Sequence, residues 1–479
     1  MKWPVLSLAF LVPVTVTAQW HYKVIDLDPG EPGRSSAAVS VSGDRTVAFN
    51  VEHSRAFRWT PSTGRFLLPP FIYVKDGASL AASSGQGSRI VGTLSTDQSS
   101  AVVWDKNGAV TRIPYLPGFN LSRGQDINDA GQICGYNRKN NSHMAFRYGT
   151  SLEALPPLIG TESVGTAINK FGWVAGDSGK TNEATATLWK SPTNAVLLGT
   201  LPGFSYSSAQ DVNDSGDVVG YANGGNGSGT RPFVWRQSTG MQPLESLGLS
   251  GSASSINGPG QAVGQLNGIG AVLWEPYGTV IDLTSRLDES SQGWRLIRAE
   301  GINNGGDIVG IGSLEGQSKA FLAVPFEPGT TLPTRYNSNY GFRTSGDIYS
   351  LYVPNGDGME FQPIFIFDRG RTTTEFFTWT SVTQPNSLVV KGRWSVKNAN
   401  RRAVTLRLFN YQAGSYDGAD TLRATLDVAG KDFVVTCTGA LARYVSANGD
   451  IKVQVDMGTG PNMGEMEQLV IDQLVWKIN

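Results

Sequence analysis

Asp126 and Asp211 occupy the same place in two copies of a repeated segment, opening Asp-Ile-Asn-Asp-Ala-Gly and Asp-Val-Asn-Asp-Ser-Gly. Glu300 stands one residue off that place in a further copy. Two carboxylates about 5–9.5 Å apart can cleave a glycosidic bond, one as acid and the other as nucleophile or base. Polysaccharide cleavage is therefore the catalytic chemistry these residues would carry. Against it, the two copies are not neighbours along the chain, which would hold Asp126 and Asp211 apart in a ring. Only His21, His53 and His143 exist, so no Ser-His-Asp set is expected beside the acids. The competing reading is that these carboxylates cap backbone amides or line a wet channel.

Two further patterns point to ligands. Asp211-x-Asn213-x-Ser215-Gly216 spaces oxygen side chains as the opening of a calcium loop does. Ala130, Phe171 and Pro259 replace Ser215 in other copies, and no closing acid follows. The Asn, Asp and Gly then read as tight-turn residues, and neither metal nor cofactor is expected. Near the C-terminus, Tyr411, Tyr416 and Asp417 fall in the loop-like stretch FNYQAGSYDGAD. Aromatic faces in a loop can stack on sugar rings while a carboxylate bonds the hydroxyls. Trp394 and Trp476, inside long apolar strands, read instead as core.

What must position these residues is a sevenfold repeat. Its copies end at Ala48, Gly92, Gly135, Gly176, Gly220, Gly264 and Gly310, a period of 41 to 46 residues. The fifth copy resolves into strands over 207–213, 216–221, 231–236 and 241–247, with a hairpin turn at Asn213–Gly216. Trp59, Trp104, Trp189, Trp235 and Trp274, with Tyr148 and Val324 in the other two copies, recur at the end of the third strand. Short strands at this period indicate propeller blades. A fourth-type strand, Tyr22–Leu27, precedes the first copy, and none follows Ala320–Val324. Pairing the two closes the ring and removes an open edge. An open superhelical array is the alternative.

The repeat motifs resemble a known family. His143-Met144-Ala145-Phe146 and His53-Ser54-Arg55-Ala56-Phe57, with Ile-Asn-x-x-Gly strands and Leu-Pro-Gly-Phe linkers, are similar to bacterial extracellular HAF-repeat proteins. The resemblance spans all seven copies, implies export and a propeller-like fold, and implies little chemistry. The His is missing from five copies and so is not an obligatory ligand.

After about residue 332 the period stops and longer alternating strands follow, at 387–396, 403–412, 431–439, 450–458 and 468–478. They suggest a β-sandwich, jelly-roll-like, whose first and last strands (Gly346–Val353 and Gln468–Ile478) lie close together. GDIKVQVDMG followed by QLVIDQLVW resembles the end of a carbohydrate-binding module. The expected fold class is thus all-β: a signal peptide over 1–18, a seven-bladed propeller over 19–326, a linker over 327–335 and a β-sandwich over 336–479.

Composition limits the partners. The 479 residues carry 39 Lys plus Arg and 40 Asp plus Glu, so no charge excess draws the chain to nucleic acid or an anionic bilayer. The apolar opening MKWPVLSLAFLVPVTVTA ends in small residues and is too short for a membrane span. Export without membrane insertion follows, to the envelope or beyond it. Cys134 and Cys437, expected in different domains, read as buried thiols and not as a bridge. The expected role is a secreted, non-enzymatic binder or scaffold acting on polysaccharide or a cell-surface protein. The alternatives are a polysaccharide-cleaving enzyme and an adhesion or matrix protein with no small-molecule site.

Overall fold

The computed structural model describes the chain from residue 21 to residue 478 except for 30–33, 53–54, 62, 70–77, 84–88, 95–98, 181–182, 225–228, 277–278, 327–329, 332–334, 341, 346–358, 363, 367–368, 380–387, 398–401, 427–430, 438–440, 447–449 and 459–467. The signal peptide expected at 1–18, His53, most of the expected linker and the strand expected at 346–353 lie outside the described residues.

Seven four-stranded antiparallel sheets fill the chain up to Phe326. We number them as blades 1 to 7 by their innermost strands: Ser36–Val41, Ala78–Ser83, Leu121–Ile127, Ser163–Ile168, Tyr206–Val212, Gly251–Ile256 and Trp294–Ile302. Each innermost strand touches the next, and the seventh touches the first. The array is therefore a closed ring and not an open superhelix. Closure uses both ends of the repeat region. His21–Asp26 pairs antiparallel with Gln317–Phe326, from His21 opposite Phe326 to Asp26 opposite Phe321, and completes blade 7.

Blades adhere through their large third-strand side chains. Trp104, Trp189 and Trp274 are buried, and each indole Nε1–H donates to a main-chain oxygen at the end of the preceding blade: Pro69, Pro156 and Glu245. In blade 7 the matching position is Ala323, opposite Ile308, and not Val324. Copy one is also offset by a residue, because Phe49, and not Ala48, pairs where the other blades place their glycine.

Two six-stranded sheets follow between 330 and 478. In one, Val404, Leu406 and Leu408 alternate with less buried neighbours on Arg402–Asn410, and Ile451, Val453 and Val455 are buried on the adjacent Asp450–Gly458, where Gln454 is covered as well. In the other, Leu388 and Val390 are buried on Leu388–Lys397. This period-two burial gives each sheet one core face, as a sandwich requires. Cys134 and Cys437 are both free and buried. The side chains of Trp394 and Trp476 lie outside the described residues.

Candidate functional site

The channel of the propeller is shaped by a bulge repeated in every blade. The register of innermost strand against second strand slips at the same place in every blade, between Ala38 and Ser40, Leu80 and Ala82, Gly124 and Asp126, Gly165 and Ala167, Ala209 and Asp211, Ala253 and Ser255, and Ala299 and Gly301, with a second slip in blade 7 between Leu296 and Arg298. At each slip one extra residue stands opposite a single partner. In six blades that neighbourhood holds the recurrent glycine. A methyl group on Gly135, Gly176, Gly220, Gly264 or Gly310 would fall 1.9–2.0 Å from an inner-strand carbonyl oxygen.

The bulge settles where the carboxylates go. Simple alternation would put Glu300, one residue off the Asp place, on the opposite face of its strand. Instead Glu300 sits at the bulge, in the place of Gln125 and Gln210, and all three candidate acids line one cavity of about 210 Å³. Gln125, Thr166, Gln210, Ser254 and Ser255 complete its polar wall. Asp126 and Asp211, in blades that are not neighbours, thus share the wall of one cavity.

Both aspartates are also bound to the frame. Asp126 accepts hydrogen bonds from its neighbour's amide, Ile127, and from Ile168 of blade 4, each at 2.7 Å. Asp211 accepts from the Val212 amide at 2.7 Å, and across the seam to blade 6 from Ser255 Oγ at 2.7 Å and the Ile256 amide at 2.8 Å. Burial, with the Asp211 charge added, pushes Asp126 up to about 8 despite its amide donors. Burial raises Asp211 too, opposed by its three donors. Glu300 is raised by burial and partly restored by its ion pair with Arg298.

A fourth acid, which the sequence reading missed, does the same work one seam along. Asp177 of blade 4 accepts from Ser208 Oγ at 2.8 Å and the Ala209 amide at 3.0 Å, both in blade 5, and burial pushes it up to about 7. Three successive seams, 3/4, 4/5 and 5/6, are thus each crossed by one carboxylate.

At the turn end of the channel the Ile/Val-Asn pair of the repeat supplies a second ring. Val41, Ile168, Val212, Ile256 and Ile302 form its apolar floor, and above them Asn128, Asn169, Asn213, Asn257 and Asn303 line a cavity of about 300 Å³. Each asparagine Nδ2 donates to the main-chain oxygen of the next: Asn128 to Asn169, Asn169 to Asn213, Asn213 to Asn257 and Asn257 to Asn303, at 2.9–3.1 Å. Asn303 donates to Ser42 in blade 1. Each Oδ1 accepts amides of its own turn, as Asn213 does from Ser215 and Asp217 at 3.0 Å. The oxygens proposed for calcium at Asp211 and Asn213 are therefore turned onto amides. No group of three His, Cys, Asp or Glu suited to a metal occurs among the described residues.

The seam between blades 7 and 1 carries a local backbone cost. Arg45 takes the left-handed backbone (φ 59°) that glycine adopts at the matching position of other blades, such as Gly216 (φ 81°). Its Nε meets Asp307 Oδ2 at 3.0 Å, with side chains 1% and 3% exposed. A non-glycine residue there is strained, and the buried pair is what the strain holds in place.

In the sandwich, Arg402–Asn410 and Ser415–Leu426 form a hairpin with an exposed tip at 412–415. Tyr411 and Tyr416 are half-buried and stand edge-on to Phe409, at 5.0 and 5.1 Å. Lys452 Nζ lies 4.4 Å from the Phe409 ring centre and 5.1 Å from that of Tyr416. The side chain of Asp417 lies outside the described residues.

The chain is thus an all-β protein, a seven-bladed propeller followed by a β-sandwich. No protein-family model matches the sequence, and no curated protein matches it. Among solved structures it is similar to a putative TolB from Agrobacterium tumefaciens, at 10% identity over 47% of this chain and 88% of that one, with a TM-score of 0.37. It is similar also to a catalytically inactive virginiamycin B lyase from Staphylococcus aureus bound to quinupristin, at 9% identity over 64% and 100%, TM-score 0.44. A third similarity is to TmCBM61 in complex with β-1,4-galactotriose, at 9% identity over 31% and 91%, TM-score 0.22. None of the three bears on what this chain binds. No helix among the described residues is long and apolar enough to cross a membrane.

Proposed function

We propose that this is an exported, non-enzymatic binding protein of HAF-repeat type that holds polysaccharide at the cell envelope or outside the cell. One observation carries the reading. Asp126 and Asp211 each give one oxygen to an amide or hydroxyl of the next blade and the other to the amide that follows in their own strand. A general acid or nucleophile must instead present a free oxygen to substrate. Contact with polysaccharide is assigned to the sandwich hairpin, where Tyr411 and Tyr416 are partly exposed beside Lys452. The apolar opening segment at 1–18 supports export.

The test compares retention of the full chain with that of a Tyr411→Ala/Tyr416→Ala variant on immobilised neutral and acidic polysaccharides. Retention lost in the variant supports the reading. Wild-type protein that no polysaccharide retains overturns it and leaves a protein-binding scaffold as the better account.

A second reading has one observation in its favour. Asp126, pushed up to about 8 beside Asp211, has the proton a general acid needs near neutrality. It predicts release of sugar ends that Asp126→Asn abolishes.

A further inference from the structure

Blade 4 displays something the other described turns do not. After Asn169, its turn runs Lys170-Phe171-Gly172-Trp173, where the matching places of Phe171 hold Ala130, Ser215, Pro259 and Gly305. Those small residues build the same turn, so the fold does not require the aromatic ring. Phe171 is nevertheless 57% exposed. An exposed phenylalanine alone would need no explanation, but this one has a built support.

Trp173 stands 5.8 Å from it, tilted by 40°. Lys190 Nζ lies 4.3 Å from the Trp173 ring centre, and a methyl group on Gly216 of blade 5 would come 2.9 Å from that ring. The indole is therefore wedged between a cation and a backbone and holds Phe171 from behind. Its Nε1–H finds no acceptor among the described residues, although Trp104, Trp189 and Trp274 each donate theirs. Directly beside Phe171, Asn169 and Lys170 line the 300 Å³ cavity at the channel mouth, with Asn128, Asp129 and Asp214. That volume is at the small end of ligand sites. The rim charges are mixed, and Lys170 is paired with Asp214 at 3.1 Å.

We propose that this corner of the propeller is a second glycan site, in which a sugar ring of a neutral polysaccharide stacks on Phe171. The neighbouring sugar reaches into the asparagine-lined mouth, and a hydroxyl accepts the free Trp173 Nε1–H. An exposed aromatic ring with Lys170 Nζ 5.1 Å from its centre, beside a polar recess, suits a sugar with one apolar face and a polar edge. The mixed, internally paired rim favours a neutral chain over a uronic one. The inference rests on the polysaccharide reading above, and it makes the protein bivalent. Two sites on one chain raise avidity when both reach the same polymer.

The experiment uses the full chain against soluble xylan, β-glucan and galactan, read by affinity electrophoresis and tryptophan fluorescence. Phe171→Ser installs the residue blade 5 carries at Ser215, so the turn is kept, and an unchanged circular dichroism spectrum and melting curve verify it. The expected result is affinity about tenfold weaker in Phe171→Ser, with partial binding left that Tyr411→Ala/Tyr416→Ala then removes. The sugar-induced fluorescence change should vanish in Trp173→Phe. Wild-type affinity in Phe171→Ser, with the fluorescence change intact in Trp173→Phe, overturns this site while leaving the polysaccharide reading standing. No retention of wild-type protein by any glycan overturns both.

Discussion

The side-chain amide of Asn303 donates a 2.9 Å hydrogen bond to the main-chain oxygen of Ser42, joining the last blade to the first across 261 residues. It is the closing link of a chain of such bonds that begins at Asn128. The Asn of the Ile/Val-Asn pair is thus both a turn former, through Oδ1, and a fastener between blades, through Nδ2. An aspartate could do only the first, because it has no donor.

Replacement of a fastener should therefore cost more than loss of a turn residue. Asn213→Ala removes one donor to Asn257 and the acceptor for two amides. We expect about 2–3 kcal/mol of destabilisation from the groups left buried and unpaired. Ser215→Ala, on the exposed side of the same turn, should change stability by less than about 0.5 kcal/mol. Denaturant melts of both variants check the contrast.

The seam acids give a pH dependence with a definite sign. Asp126 and Asp177 hold their protons to about 8 and about 7 in the fold, against 3.8 in the ordinary carboxyl. The unfolded chain therefore loses these protons first, and stability falls as pH rises from about 4 toward 8, then levels. Asp126 faces Asp211 across the cavity, and Asp177 faces Tyr221. Asp126→Asn loses one amide bond, since its Nδ2 cannot accept. It should be less stable than wild type at pH 5 and show a shallower fall toward pH 8. Melting temperatures across that range would reveal a slope unchanged in the variant if this account is wrong.

The seam of blades 1 and 7 should be sensitive to half-removal of its ion pair. Asp307→Ala leaves the Arg45 guanidinium buried without its carboxylate and should cost about 3–5 kcal/mol. Arg45→Gly/Asp307→Gln copies Gly172 and Gln132, which meet across the seam of blades 4 and 3, relieves the left-handed strain and should regain most of the loss. Unfolding free energies of the two variants decide it.

Ring closure predicts a dependence on the first strand. Deleting 21–26 strips the partner from Gln317–Phe326 and leaves its edge unpaired. Loss of the monomer peak in gel filtration, with aggregation, is expected. A monomeric, cooperatively melting deletion variant would contradict the closure.

Much of the architecture is legible in the repeat. The period counts the blades, the recurrent Trp marks the third strands, and the unmatched strand at Tyr22 identifies the closing pair. The offsets in copy one and copy seven were hidden because Arg45 replaces a turn glycine and Ala323 a tryptophan. The site was less legible for a physical reason. A single-residue bulge reverses which side chains face the channel, and nothing in local sequence distinguishes it from a regular strand. That is why Glu300 looked misplaced. Asp177 and Asp307 were missed because their partners lie in other blades, 31 and 262 residues away.

The central claim is that the channel carboxylates hold the blades together and do no chemistry. The direct measurement is the release of reducing ends when the full chain is incubated with the polysaccharides that retain it. The account predicts retention with no release above background, in wild type and Asp126→Asn alike. Steady release that disappears in Asp126→Asn would contradict it and make this propeller an enzyme.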